Sequence, residues 1–314
     1  MKALVTGGAG FIGSHLVDRL LADGHLVTVM DNFSCGTSEN LPSSTRLEIV
    51  KVDIADGKRV NKVFSEDKYD VVFHLAAQAD IRKSLLGFKG DLDNNVVGTL
   101  NILEAMKRYG VNDLVFASSS AVYGEATVKP TPEDYSPIQT SLYGASKLAC
   151  EAFAEAYTEF TQIKLWAFRF ANVIGERCRR GVIGDFVRKL LKNPKELEIL
   201  GDGKQSKEYL YVKDCINGMI TGHLKSSEKT NIFNLGVDRQ TIVDEVADIV
   251  IEEMELENVK RKYTGGNRGW IGDNPIVELS LNKIKGLGWN TDVSSEEAIR
   301  RTARWNIHNE HEEL

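Results

Sequence analysis

Thr6-Gly7-Gly8-Ala9-Gly10-Phe11-Ile12-Gly13 sits between the apolar run Ala3–Thr6 and an amphipathic stretch, Gly13–Ala22. In that stretch Leu16, Leu20 and Val17, Leu21 share one helical face. The glycines at 7, 10 and 13 are spaced G-x-x-G-x-x-G. Between a strand and a helix, such glycines allow a tight turn, close approach of backbone to a pyrophosphate, and close packing of helix on strand. The stretch predicts a dinucleotide-binding loop. Asp31 closes the next predicted strand, Leu26–Asp31, where a carboxylate can hold both ribose hydroxyls and repel a 2′-phosphate. Asn32, Phe33 and Ser34 come next, with no arginine among them, which selects NAD over NADP. Asp53, after the third strand, is placed to bond the adenine amino group.

Outward from this loop, short β-branched runs alternate with helical patterns. Further strands are predicted at Leu47–Val52, Val71–His74, Leu114–Ser118, Lys164–Phe170 and Ile232–Leu235, with helices over Asn94–Tyr109 and Ser141–Phe160. The alternation implies right-handed crossovers and a Rossmann-type, doubly wound parallel sheet covered on both faces. After about Gly175 the regularity weakens, and a smaller, interleaved C-terminal lobe is expected. Residues 1–174 with about 209–239 are assigned to an NAD-binding domain, and about 175–208 with 240–314 to a substrate lobe. A last helix is predicted from a Ser294 or Ser295 cap to about Ile307, and then a solvated acidic tail, Glu310–Leu314.

Composition narrows the function classes. The 314 residues are 42% hydrophobic and 27% charged, which excludes overall disorder. A net charge of −6 without charge blocks gives no reason to expect nucleic acid or an anionic membrane as partner. No apolar run reaches the length of about 18 residues needed to span a bilayer, and a Gly-rich turn within six residues of Met1 argues against a signal peptide. Cys35, Cys150, Cys178 and Cys215 are far apart. They form neither a disulfide framework nor a metal site, so the chain reads as cytoplasmic.

A second constellation lies downstream. Tyr143-Gly144-Ala145-Ser146-Lys147 has the Y-x-x-x-K spacing, which puts phenol and ammonium on one helical face toward a common ligand. The lysine can hold a ribose and, together with a positive nicotinamide ring, lower the tyrosine pKa toward that of a working base. Phe116-Ala117-Ser118-Ser119-Ser120-Ala121-Val122-Tyr123-Gly124 leaves the carboxyl end of a strand, where a serine hydroxyl can share a bond with a reacting oxygen and Tyr143.

These motifs resemble the extended short-chain dehydrogenase/reductases that act on nucleotide sugars, the UDP-glucose 4-epimerases most closely, over nearly the whole chain. Three further segments share the likeness: His74-Leu75-Ala76-Ala77-Gln78, Asp93-Asn94-Asn95-Val96-Val97-Gly98-Thr99 and Arg169-Phe170-Ala171-Asn172-Val173-Ile174-Gly175. The resemblance implies a catalytic set of Tyr143, Lys147 and Ser119. It implies NAD contacts from Gly7, Gly10, Phe11, Ile12 and Gly13, from Asp31, Asn32, Asp53 and Ile54, from Leu75, Ala76 and Ala77, and from Asn94, Ser118, Tyr143 and Lys147. It implies a UDP-sugar held by Ser119, Ser120, Tyr143 and Asn172. Two cations complete the diphosphate clamp: Lys207, where the family carries an arginine, and Arg268 in the segment Gly266–Asp273. No metal is implied.

Within the family the outcome is decided after oxidation at C4. Dehydratases carry an Asp-Glu pair where this chain has Ser120 and Ala121, and the related decarboxylases carry a glutamate at the place of Ala121. That leaves return of hydride to the opposite face, C4 epimerisation. Pro275-Ile276-Val277, where strict glucose/galactose enzymes are bulky, has no aromatic and predicts room for an N-acetyl group. Alternatives are a 4-ketosugar reductase, an epimerase at another carbon, and a non-catalytic NAD sensor. The resemblance also implies a homodimer built on a four-helix bundle from Asn94–Tyr109 and Ser141–Phe160.

Overall fold

A computed structural model of the chain describes residues 1–80, 84, 87–269 and 274–311. The Trp270–Asp273 end of the arginine segment and the tail beyond 311 lie outside the described residues. The chain forms two compact units: 1–124 with 133–169 and 219–233, and 125–132 with 170–218 and 234–314.

The first unit carries the seven-stranded parallel sheet expected from the alternation of runs. Its strands are β1 (Lys2–Thr6), β2 (Leu26–Asp31), β3 (Leu47–Lys51), β4 (Val71–His74), β5 (Asp113–Ser119), β6 (Lys164–Phe170) and β7 (Thr230–Leu235), in the order β7-β6-β5-β4-β1-β2-β3. Register positions the site. Thr6 pairs with both Met30 and His74, and His74 with Phe116, so β1, β2 and β4 end within about one residue of each other while β5 runs on to Ser119. Loops leaving such an edge form the ligand crevice of open α/β sheets.

The helices are α1 (Phe11–Ala22), α2 (Gly57–Glu66), α3 (Gly98–Tyr109) and α4 (Leu142–Phe160). Along α1 the residues Leu16, Val17, Leu20 and Leu21 are buried, the stripe read from the sequence. Leu4, Met30, Val72, Leu114 and Phe116 from the sheet pack with Val60, Phe64, Ile102, Met106 and Ala154 into one core. At roughly 25 cal/mol per Å² of apolar surface removed from water, this cluster supplies the main drive to fold the unit.

One helix departs from expectation. The segment predicted as regular from Asn94 starts as a wide π-type turn over Asp91–Val97, and α3 begins only at Gly98. The turn frees the buried Asn95 side chain to bond the backbone of Gln78 in both directions, 2.7 and 3.1 Å, and the Ser146 hydroxyl, 2.8 Å. Single π-turns of this kind concentrate at functional sites.

The second unit is built from short pairs. Asn172–Ile174 runs parallel to Tyr209–Tyr211, Glu196–Ile199 parallel to Lys260–Tyr263, and Ser206–Lys207 antiparallel to Thr241–Ile242. The final helix runs Ser295–His311, past the predicted stop near Ile307. The Ser294 hydroxyl accepts the Glu297 N–H at its start. Asn306 bonds Thr302 and Cys178 carbonyls, and Glu310 pairs with Arg188 at 3.1 Å, so Glu310 is not part of a free tail.

Glu208 is the most consequential buried acid of this unit. Its carboxylate accepts the N–H groups of Leu279 (2.7 Å) and Val237 (3.3 Å), while burial pushes its pKa from 4.5 up to about 8. The folded state therefore keeps a proton that the unfolded chain has released. The stabilisation is complete below 4.5 and is lost as pH rises through about 8. The melting temperature is expected to fall between pH 5 and 8, with a shallower slope in Glu208→Gln. A melting temperature that rises over that range in the unmodified chain would contradict this.

The four cysteines are free. Among the described residues no helix is long and apolar enough to cross a membrane, and no cluster of side chains could hold a metal.

Candidate active site

The glycine loop folds as the spacing requires. Gly7 has φ +70°, and a Cβ there would lie 2.7 Å from the Ala76 nitrogen. Only glycine lets this turn lie against the strand-β4 exit. At Gly13 a Cβ would fall 2.1 Å from the Gly7 carbonyl oxygen, so α1 could not pack on the loop. Gly10 precedes the helix without a side-chain cap, and the first turn of α1, which begins with Phe11 and Ile12, has no acidic residue. Its backbone N–H groups are thus left for an anion. This uncapped, glycine-lined helix start fits a pyrophosphate.

Asp31, nearly buried, accepts Ala9 N–H at 3.0 Å on one oxygen and Phe33 N–H at 2.8 Å on the other. Each oxygen keeps a second lone pair, the number a ribose diol needs. Asn32 donates to Asp53 at 3.0 Å, and Asp53 also accepts Ala55 N–H at 2.9 Å. Asp53 therefore braces the Asn32 loop first, and any bond to an adenine amine is additional. Ile54 packs on Gly98, where a Cβ would meet it at 2.5 Å. Leu75, Ala76 and Ala77, half-buried, leave β4 beside Gly7. They are anchored by a buried chain: Ala76 N–H to Thr6 Oγ1 (3.2 Å), Thr6 to His74 Nδ1 (2.6 Å), His74 Nε2 to Thr99 (2.9 Å). Burial, and then the Lys147 charge, push His74 down to about 3, so it stays neutral and structural.

Two of the residues assigned to the cofactor have informative neighbours. Asn95, next to the half-buried Asn94, is the fully buried asparagine of its segment, and it joins the turn after β4 to α4 through Ser146. The Ser118 hydroxyl donates to the buried Glu151 carboxylate, so toward a ligand it can only accept.

Tyr143, Lys147 and Ser119 come together as the spacing predicts. Ser141 caps α4 by accepting Gly144 N–H at 3.0 Å, which places Tyr143 in the first turn. The Ser119 hydroxyl accepts Ala121 N–H at 3.1 Å and lies beside the Tyr143 phenol, whose pKa it pulls down. Ser120 opens the 3-10 turn Ser120–Tyr123 immediately after it. Lys147 donates to the Ala117 carbonyl at 2.8 Å and lies 4.8 Å from the Phe116 ring centroid. Burial pushes Tyr143 up to about 12, partly offset by the Ser119 bond, and burial pulls Lys147 down. In the chain alone burial outweighs the Ser119 contribution, so the lowering expected from the sequence calls for the positive nicotinamide ring as well as Lys147.

In the second unit, Asn172 is exposed and bonds the Glu208 carbonyl at 3.2 Å. Lys207 donates to the Asn274 carbonyl. Arg268 pairs with Glu125 at 2.6 Å.

Over residues 3–236 the chain matches the NAD dependent epimerase/dehydratase family. It belongs to that family. NAD is accordingly its cofactor. A curated family member, UDP-glucose 4-epimerase of Mycolicibacterium smegmatis, is 34% identical over 316 residues, covering 97% of the chain and 98% of the relative. The Thermus thermophilus UDP-glucose 4-epimerase, solved in complex with NAD, superposes with TM-score 0.88 at 34% identity, covering 98% and 99% of the two chains. A UDP-N-acetylglucosamine 4-epimerase from Methanobrevibacter ruminantium, solved with UDP-N-acetylmuramic acid, gives TM-score 0.86 at 30% identity over 98% of each chain.

Proposed function

We propose that the chain is a nucleotide-sugar 4-epimerase that interconverts UDP-glucose and UDP-galactose and also admits N-acetylated UDP-hexoses. The reading rests on one juxtaposition: Tyr143 beside Ser119 at the end of β5, with Ser120 and Ala121 next in place of an acid pair. NAD, when bound, supplies the reversible hydride acceptor that turns the C4 alcohol into a ketone and back.

Tyr143 takes the proton of the sugar 4-hydroxyl and returns it to the oxygen on the opposite face. The single Ser119 O–H donates to the phenolate before the proton is taken; once Tyr143 is protonated it can turn to the sugar oxygen and accept from the phenol. Lys147 holds the cofactor ribose and keeps a positive charge beside the phenol. With no carboxylate at 120 or 121, nothing there removes a C5 proton, so the ketosugar can only be reduced again. Residues 1–174 with about 209–239 serve NAD. Residues about 175–208 with 240–314 serve the nucleotide sugar through the cations Lys207 and Arg268, and Asn172 adds a contact from the end of the 1–174 segment. A lysine gives charge without the two-pronged grip of arginine, so Arg268 carries more of the clamp.

Turnover should leave NADH unconsumed, which separates this reading from a 4-ketosugar reductase. Steady loss of added NADH with each sugar converted would favour the reductase. The Pro275-Ile276-Val277 stretch and the UDP-N-acetylglucosamine 4-epimerase neighbour support the wider sugar range. UDP-N-acetylglucosamine is expected to be epimerised within about tenfold of UDP-glucose in kcat/KM, a span of about 1.4 kcal/mol. Complete failure of acetamido substrates would confine the enzyme to plain hexoses.

The same reading includes a homodimer. Val97 before α3, and Phe153 and Phe160 on α4, are 38%, 42% and 61% exposed, an apolar display that a second copy of the two helices would cover. Sedimentation should give twice the mass of one chain, and Phe153→Asp should shift it toward the monomer. A monomer at every concentration would remove the bundle.

A further inference from the structure

Three residues at the end of β5 face three residues of α4 spaced four apart. Ser119 stands beside Tyr143, the Ala117 carbonyl accepts from Lys147, and Ser118 donates to Glu151. Positions 143, 147 and 151 lie on one face of the helix. Two of these residues touch reactants in the proposed chemistry. Glu151 does not, yet its carboxylate is 2% exposed and gripped by one edge of the Arg169 guanidinium, by Nη2 at 2.7 Å and Nε at 3.1 Å. The remaining Arg169 nitrogen donates to the Tyr123 hydroxyl and the Glu133 carbonyl, both at 2.8 Å. One guanidinium therefore ties α4 to the 3-10 turn just after Ser119, while its carboxylate partner holds the residue before Ser119. The serine is bracketed on both sides by a single ion pair.

A buried pair of this kind is a poor device for stability alone, because apolar residues of similar volume often serve as well. Its geometric role is different. We propose that Glu151 and Arg169 are positioning residues that, through Ser118 and Tyr123, hold the Ser119 hydroxyl on Tyr143. This deepens the epimerase reading and rests on it only for the use made of Tyr143. The ionisable groups packed around the zipper are Tyr143, Lys147, Cys150 and Glu155 on α4, His74 on β4, Asp91 in the π-type turn, Tyr123, Glu133 and Arg169 itself.

The test uses no sugar, so it is independent of substrate identity. The NAD-loaded protein is titrated by phenolate absorbance, and the Tyr143 step is assigned by its loss in Tyr143→Phe. Ser119→Ala sets the scale, because it removes the donor and raises the step by about one pH unit. Ser118→Ala keeps the ion pair but cuts its link to the strand. Glu151→Leu/Arg169→Met removes the pair while keeping the volume. Both are expected to raise the Tyr143 step by at least half the Ser119→Ala shift, with NAD content unchanged. If the double variant does not fold, Ser118→Ala decides alone. A step unmoved in the folded variants while Ser119→Ala moves it overturns the proposal. A step that Ser119→Ala also leaves unmoved overturns it as well, by removing the bond that the pair is said to position.

Discussion

Tyr143→Phe is expected to lower sugar turnover by between about a hundred- and ten-thousand-fold, the range associated with losing a general acid–base group. NAD should stay bound. The side chain is only 8% exposed, and phenylalanine fills the same volume, so the core of α4 against β5 is not disturbed. The glycine loop, Asp31 and the Lys147 bond to Ala117 do not depend on the phenol oxygen. Only the proton carrier is lost. Turnover and cofactor content measured on one preparation separate the two roles. Turnover within tenfold of the unmodified chain would remove Tyr143 from the chemistry.

Gly13→Ala is expected to act at the other end of the site, by weakening NAD on the order of a hundredfold, about 2.7 kcal/mol. The new Cβ would lie 2.1 Å from the Gly7 carbonyl oxygen and 2.8 Å from Gly8 Cα. All the nearest atoms are backbone, so no side chain can swing aside. The helix must lift off the loop, at a cost of roughly 1–3 kcal/mol or more. Lifting it moves the first-turn N–H groups away from the place a pyrophosphate would occupy. Calorimetric titration of the stripped protein with NAD measures the loss, and unchanged affinity would mean that α1 does not carry the phosphates. The same substitution at Gly10, where the nearest atom would be 3.2 Å away, should cost much less.

The features legible in the sequence are local. The glycine loop, Asp31 and the Tyr143–Lys147 pair are set by backbone conformation and by spacing along one strand or helix, so three- and four-residue intervals reveal them. The sheet is legible in the alternation of apolar runs with helical stripes. Features that depend on partners far along the chain are not legible. Glu151 stands four residues beyond Lys147 and continues the same face, a signal available in the spacing. Its partners Ser118 and Arg169 lie 33 and 18 residues away, and only the folded sheet brings them to it. The bracing role of Asn95 is not legible either, because a π-type turn breaks the regular helical phase there. Nor are the surroundings of Lys147 legible in the spacing. Spacing shows that Lys147 shares a face with Tyr143, but not that its ammonium is drawn to the Ala117 carbonyl and the Phe116 ring.

The most direct test of C4 epimerisation is NMR of the purified protein with UDP-galactose, with NAD supplied. UDP-glucose signals should grow until the two sugars reach a constant ratio, with no NADH accumulating. Loss of UDP-galactose to a 4-keto or deoxy product, or an unchanged spectrum despite bound NAD, would contradict the assignment.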